Sequence, residues 1–283
     1  MGKLPSSVVT ELNGLVDSII SQNQPSYLHK RPSIMPTGKG SLAGTHEQRA
    51  HGLEWETIVF DTLSSAGLNI AKTGFGVTKI ERLSEAQCRD YHSCIRDLFG
   101  EQLYNHLQFS AETCSNDRPA TDCPDFALVT DTTSTGTKVL AWIEAHNRER
   151  QGKNFPTVPV ERKEVDRHLM HDGKIRYGGL SYYVQRFLVW KGVPQPKVLW
   201  GKIDETWTAT PRMNTNDDGS KSAVYYIPVP VEGSERNRYQ VVDDLSLTLF
   251  KKELYNAIKP EQTKLFQRRM KLRSRRKRAH HRR

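Results

Sequence analysis

Pro124-Asp125-Phe126-Ala127-Leu128-Val129-Thr130-Asp131, then Thr132 to Thr137 with Gly136 among them, then Lys138-Val139-Leu140-Ala141-Trp142-Ile143-Glu144-Ala145-His146: the reading of this chain turns on that stretch. The first segment is apolar after its carboxylate, the middle is small and polar, and the third is apolar until it ends in a carboxylate and an imidazole. β-branched and aromatic residues on both sides of a glycine-containing polar run predict strand, turn, strand. In an antiparallel hairpin, Asp125 at the start of one strand meets Glu144 near the end of its partner. Two carboxylates side by side between apolar walls are costly unless a cation neutralises them. A hard divalent ion such as Mg²⁺ is held by one or two carboxylates, with water and substrate phosphate completing its shell.

The second informative stretch lies upstream. Residues 46–66 predict a helix, with Leu53, Trp55, Val59, Phe60 and Leu63 as its apolar stripe and Gly67 as its C-cap. If Glu56 faces inward, Glu54, about 200° away at ~100° per residue, faces solvent. An ordinary amphipathic helix with surface acids is the plainer account of the same residues.

Together these residues resemble the PD-(D/E)xK nuclease superfamily, which includes many type II restriction endonucleases. Asp125 matches the motif's Asp, Glu144 its second acid, and Gly52-Leu53-Glu54-Trp55-Glu56 the first core helix with its active-site acid at Glu56. The resemblance covers roughly residues 46 to 205 and implies an α/β fold: a mixed central β-sheet flanked by helices, a restriction-endonuclease-like core, with helical N- and C-terminal additions. It implies hydrolysis of phosphodiester bonds in double-stranded DNA, with Mg²⁺ held by Asp125, Glu144, the Ala145 carbonyl and Glu56. A homodimer matching a palindrome and a partner methyltransferase follow by the same analogy.

The chain departs from the family at His146, which occupies the motif's lysine position. His146 replaces the lysine as a cation or hydrogen-bond donor, or a lysine such as Lys153 or Lys163 reaches in, or the site is impaired. Lys138 shares the strand face but lies ~20 Å from the acid.

The whole chain has 283 residues, enough for one large domain or two small ones. Residues 7–21 predict an amphipathic helix, and residues 22–45 a polar loop that either links or lies in a DNA groove through His29, Lys30, Arg31 and Lys39. Residues 84–108 predict a helix that starts at Ser84 and breaks at Gly100. Residues 110–123 predict a loop, and 147–153 a charged, flexible stretch. Ser181 to Gly192 predicts a helix that crosses over to a strand at Lys197–Ile203. A polar loop over 206–222 leads to Ala223–Val231, a strand that its prolines confine to an edge. Asp243 to Ile258 predicts a helix, and Pro260 starts the last one. Three parts result: a helix-and-loop arm at 1–45, a nuclease-like domain at 46–258, and a basic helix and tail at 259–283.

Residues 264–283 hold eleven Lys or Arg and no acid; without them, 31 basic residues face 32 acids, a net of −1. The basic excess therefore belongs to the tail, where Arg268, Arg269, Lys271, Arg273, Arg275, Arg276, Lys277 and Arg278 suit non-specific phosphate binding. The tail reads equally as a solvated run or a nuclear signal, so a cytoplasmic expectation stands beside a nuclear one. A non-catalytic nucleic-acid-binding protein, such as a packaging or regulatory factor, is the alternative to the nuclease.

Several classes are not expected. No apolar run approaches the ~20 residues that span a membrane. The first residues lack a secretory signal's apolar core. Met1-Gly2 with Ser6 fits the myristoylation pattern without a second anchor. The four cysteines, Cys88, Cys94, Cys114 and Cys123, form no Cys-x-x-Cys pair, and a zinc site at Cys88, His92 and Cys94 lacks the usual spacing. Gly74-Phe75-Gly76 lacks the third glycine and the helix of a dinucleotide fingerprint.

Overall fold

The computed structural model describes residues 5–23, 42–74, 84–111, 124–130, 137–151, 157–161, 168, 179–203, 212–215, 221–228, 239–242, 245–260 and 271. In order, these form α1 (Pro5–Asn23), α2 (Leu42–Ser65), β1 (Ile70–Lys72), α3 (Glu85–Ala111), β2 (Phe126–Val129), β3 (Val139–Gln151), β4 (Thr157–Glu161), β5 (Leu180–Trp190), β6 (Lys197–Lys202), β7 (Arg212–Thr215), β8 (Lys221–Pro228) and β9 (Tyr239–Val242). A last helix, α4, covers 248–260.

One sheet has six strands in the order β1-β2-β3-β5-β6-β9, and a second has three, β4-β8-β7. Within the large sheet β3 and β5 run parallel and every other pair is antiparallel. Helices cover both of its faces. On one, Leu12, Val16 and Ile19 of α1 and Tyr91, Ile95 and Leu98 of α3 pack on Ala71, Ala127 and Trp142. On the other, Trp55, Val59 and Leu63 of α2 and Phe250, Leu254 and Ile258 of α4 pack on Phe126, Leu128, Ile143, Val184 and Trp200. The chain is thus an α/β protein with a mixed sheet between helical layers. A strand covered on both faces has no solvent side, so it reads as a continuous apolar run, and all four residues of β2 are buried.

The hairpin forms as expected, with Phe126 opposite Ile143 and Leu128 opposite Ala141. Its second strand is longer than its sequence suggests. Residues 147–151 continue β3 rather than forming a flexible stretch, because Asn147, Arg148, Arg150 and Gln151 pair with Arg186, Phe187, Val189 and Trp190 of β5.

Residues 181–190 are strand, not helix. Tyr182, Tyr183, Val184 and Phe187 are all buried between β3 and β6, and a short apolar run with both faces covered carries no period that separates strand from helix. Its aromatic and β-branched content fits the strand. Gly192 ends it in a tight turn, not as a helix cap. Lys191 and Gly192 both have positive φ, as a two-residue type I′ hairpin turn requires, and Trp190 and Val193 exchange backbone hydrogen bonds. The connection from β3 to β5 therefore includes β4, and no helix occurs among its described residues.

Smaller differences concern boundaries. β8 begins at Lys221 and lies between β4 and β7, at the centre of the small sheet and not its edge. Pro228 is its last residue, and Pro159, midway along the β4 ladder, lies in an edge strand, where a missing N–H is tolerated. β7 occupies part of the expected 206–222 loop. α2 begins at Leu42, inside the expected loop, and α4 occupies 248–260 rather than 243–258, with Pro260 at its end.

The caps follow the sequence. Gly67, at φ +78°, closes α2 in a Schellman motif through Gly67 N–H to Ser64 C=O and Leu68 N–H to Leu63 C=O. Ser84 and Gln87 exchange the two hydrogen bonds of a capping box at the start of α3, which kinks at Gly100. α1 is built into the core and protects the edge of the sheet. Its Asn13 donates to Ile70 C=O and accepts from Lys72 N–H, so the outer side of the short edge strand β1 is satisfied.

Candidate active site at the mouth of the hairpin

Asp125 immediately precedes β2 and is fixed from three sides. Thr73 and Gly74 donate their N–H groups to its carbonyl at 2.9 and 3.2 Å. Thr73 Oγ1 donates to Pro124 C=O, and Tyr91 Oη donates to Thr73 C=O. Its carboxylate Oδ2 accepts the N–H of Ala145 at 2.8 Å, across the strand gap. The loop passes so close that a Cβ on Gly74 would stand 3.3 Å from Asp125 Cα.

The register places Glu144 opposite Asp125, one step beyond the Phe126–Ile143 pair. Both side chains are largely withdrawn from water, at 2% exposure for Glu144 and 9% for Asp125. Glu144 Oε2 meets His168 Nε2 at 3.3 Å, and His168 Nδ1 meets Ser181 Oγ at 2.9 Å. His146 follows on the same strand face by alternation. It is half-buried and stacks on Tyr183, with ring centroids 6.1 Å apart.

Glu56 comes from the opposite layer. Trp55 beside it anchors α2, fully buried with Nε1 donating to Val184 C=O. That leaves Glu56, 8% exposed, on a cavity of about 160 Å³ that Asp125, Lys72, Gly74, Asp17 and Leu53 also line. Lys72 is a cation that the sequence did not single out. It ends the three-residue strand β1, pairs with Asp17 of α1, and lies 4.2 Å from the centre of the Phe60 ring. A three-residue edge strand has no readable period, so nothing local marked it.

The expected acids are thus brought together in two pairs. Asp125 and Glu144 are cross-strand neighbours, and Asp125 and Glu56 share the cavity, which Glu144 does not line. Among the described residues, no three His, Cys, Asp or Glu side chains converge as a metal cluster. The cavity nevertheless offers the one or two carboxylates that Mg²⁺ requires, with room for water or phosphate oxygens. Ala145 contributes its N–H to Asp125; its carbonyl was the expected ligand.

Glu54 is exposed, as the helical angle predicts, but it is engaged. Arg186 donates from one terminal nitrogen to Glu54 Oε2 at 2.9 Å and to His51 C=O at 2.8 Å, and from Nε to Asn147 Oδ1 at 2.8 Å. Its guanidinium also lies over the Trp55 ring at 5.4 Å. Burial lowers the Arg186 pKa, while the Glu54 contact opposes that shift. This fork ties α2 to β3 and β5 and so sets where Glu56 stands.

Cys94 is buried in the core and Cys88 partly so; His92 sits against Tyr91 and Tyr104, and the three form no metal cluster. Cys114, Cys123, Lys153, Lys163, residues 24–41 and the tail lie outside the described residues, apart from Lys271, which is helical and exposed. No described helix is long and apolar enough to cross a membrane. Comparison of the chain with protein-family models, with curated proteins and with solved structures gave no match.

Proposed function

We propose that the chain is a metal-dependent DNA endonuclease of restriction type, working as the PD-(D/E)xK nucleases it resembles. The observation that carries this reading is the position of Asp125. It starts the motif strand, has Glu144 as its cross-strand neighbour, and meets Glu56 of α2 across one cavity. The strand order supports it: an antiparallel run β1-β2-β3 followed by a parallel neighbour, β5, between helical layers.

Asp125 and Glu56 would hold the cation from the cavity they share, and Glu144 would reach it from the strand beside Asp125. When bound, Mg²⁺ neutralises charge on the scissile phosphate and lowers the pKa of a water. The chain's own groups do the rest. Fixed by Ala145 N–H and the Thr73–Gly74 loop, Asp125 holds its orientation before substrate arrives. Lys72 lines the cavity and offers positive charge beside a phosphate. His146, braced by Tyr183 on the Glu144 face, offers a hydrogen-bond donor at the motif's last position. The basic tail adds sequence-independent affinity for double-stranded DNA.

Incubating the purified protein with plasmid and phage DNA, in Mg²⁺ or in EDTA, tests the reading. Cleavage is expected only with Mg²⁺, and lost in Glu56→Gln and Glu144→Gln while DNA binding persists. Undiminished cutting by either variant would end the active-site assignment. Tight binding without cleavage by wild type would favour the non-catalytic nucleic-acid-binding protein.

A further inference from the structure

We propose that His168 is the positioning residue for Glu144, and that it holds this carboxylate in the orientation in which it binds a divalent cation. The inference rests on the nuclease reading and goes beyond the residues that the motif supplies.

Three side chains form a line through the sheet face. Glu144 lies on β3, Ser181 near the start of β5, and His168 between them in sequence, in the β3–β5 connection. His168 Nε2 is 3.3 Å from Glu144 Oε2 and its Nδ1 is 2.9 Å from Ser181 Oγ, so both ring nitrogens are used. All three are buried, His168 at 1% exposure and Ser181 at 0%. A neutral imidazole has one donor and one acceptor. With its proton on Nε2 it donates to the carboxylate, and Nδ1 accepts from the serine hydroxyl. Glu144, which only accepts, sets this tautomer, and the Ser181 hydroxyl, able to donate or accept, completes it by donating to Nδ1.

Its burial separates this relay from a nucleophilic triad, because Ser181 Oγ is reached by no substrate. What the relay can do is fix a carboxylate. A Glu side chain has three rotatable bonds, and a ligand that is already ordered loses less entropy on binding. Partners that orient metal ligands in this way change metal affinity by about 10–100-fold when removed.

The arrangement gives a test that a purely structural histidine would fail. The amide nitrogen of glutamine reaches the place of imidazole Nε2, and that of asparagine the place of Nδ1. His168→Gln therefore keeps the contact to Glu144 and gives up Ser181, whereas His168→Asn does the reverse. Affinity for Mn²⁺ alone, measured by titration calorimetry on the full chain without DNA, reads the difference. The expected order is wild type, then His168→Gln within a few-fold, then His168→Asn and His168→Phe weakened about 10–100-fold. Ser181→Ala, a small change that keeps the ring in place, guards against variants that fail to fold and is expected to weaken Mn²⁺ binding less than His168→Asn does. Equal affinities for the Gln and Asn variants would overturn the proposal, as would unchanged affinity in both His168→Phe and Ser181→Ala. If wild type itself neither binds Mn²⁺ nor cleaves DNA, the nuclease reading fails and takes this inference with it. If wild type binds and cleaves while every His168 variant binds equally well, only this inference fails.

Discussion

Asp125 does two jobs that substitution can separate. Its carboxylate accepts the N–H of Ala145 at 2.8 Å, and Ala145 is buried. Asp125→Ala leaves that N–H without its partner, a cost of about 1–3 kcal/mol for a buried donor. The bonds from Thr73 and Gly74 to the residue's carbonyl survive, since they involve backbone only. Asp125→Asn retains an oxygen acceptor in nearly the same place and exchanges a charge-assisted bond of ~1.5–3 kcal/mol for a neutral one of ~0.5–1.5, a loss of about 1 kcal/mol. At 2–4 °C per kcal/mol for a domain of roughly this size, the melting temperature falls by about 2–12 °C in the alanine variant and by about 2–4 °C in the asparagine one. Both stay folded against a typical total of 5–15 kcal/mol. Thermal and urea unfolding, beside a Mg²⁺-dependent cleavage assay, separate the two roles. Stability should rank wild type, Asn, Ala, while cleavage is lost in both. Equal destabilisation by Asn and Ala would refute the hydrogen-bond reasoning. An Ala variant as stable as wild type would show that the carboxylate does not hold the hairpin mouth.

Gly179→Ala should destabilise the fold by about 1–3 kcal/mol in urea unfolding, because φ there is +77° and a Cβ would stand 3.1 Å from the Leu140 carbonyl oxygen; an unaffected midpoint would contradict the close approach of β5 to β3. Arg186→Lys should cost about 1–3 kcal/mol, since one ammonium cannot serve Asn147, His51 and Glu54 together, whereas Glu54→Ala should cost at most ~1 because Glu54 is half exposed; equal effects would put the stability in the ion pair alone. The His92 pKa lies below its usual 6.5, chiefly through burial and then through Arg96, so the unfolded chain binds the proton more readily. Stability from this group is full above pH ~6.5 and falls as pH drops through the window below it, and His92→Phe should flatten that part of the urea-midpoint profile; an unchanged slope would clear His92. Deleting residues 264–283 should weaken binding to all DNA sequences alike and flatten its salt dependence; a selective loss of preference for one site would make the tail a reader.

Signals that act over a few residues were legible in the chain itself. The Pro124-Asp125 start, the polar turn and the Lys138–His146 run specified an antiparallel hairpin, and strand alternation put Glu144 and His146 on one face. Gly67 and Ser84 marked helix ends through the backbone groups that caps must satisfy. Glu56 and Glu54 were sorted to opposite sides of their helix by the 100° step alone. The tertiary structure decided whatever depended on a distant partner. Ser181 to Trp190 is strand because β3 and β6 cover its two edges and helices cover its faces, and an apolar run records neither. β8 tolerates its proline at the centre of a sheet because Pro228 sits at the strand's end. His168 meets Glu144 across 24 residues and Lys72 meets Asp17 across 55, and no local period reports such contacts. The pairing of β3 with β5 decides what surrounds Glu144, because a parallel neighbour arrives only after a long crossover whose packing the local sequence does not encode.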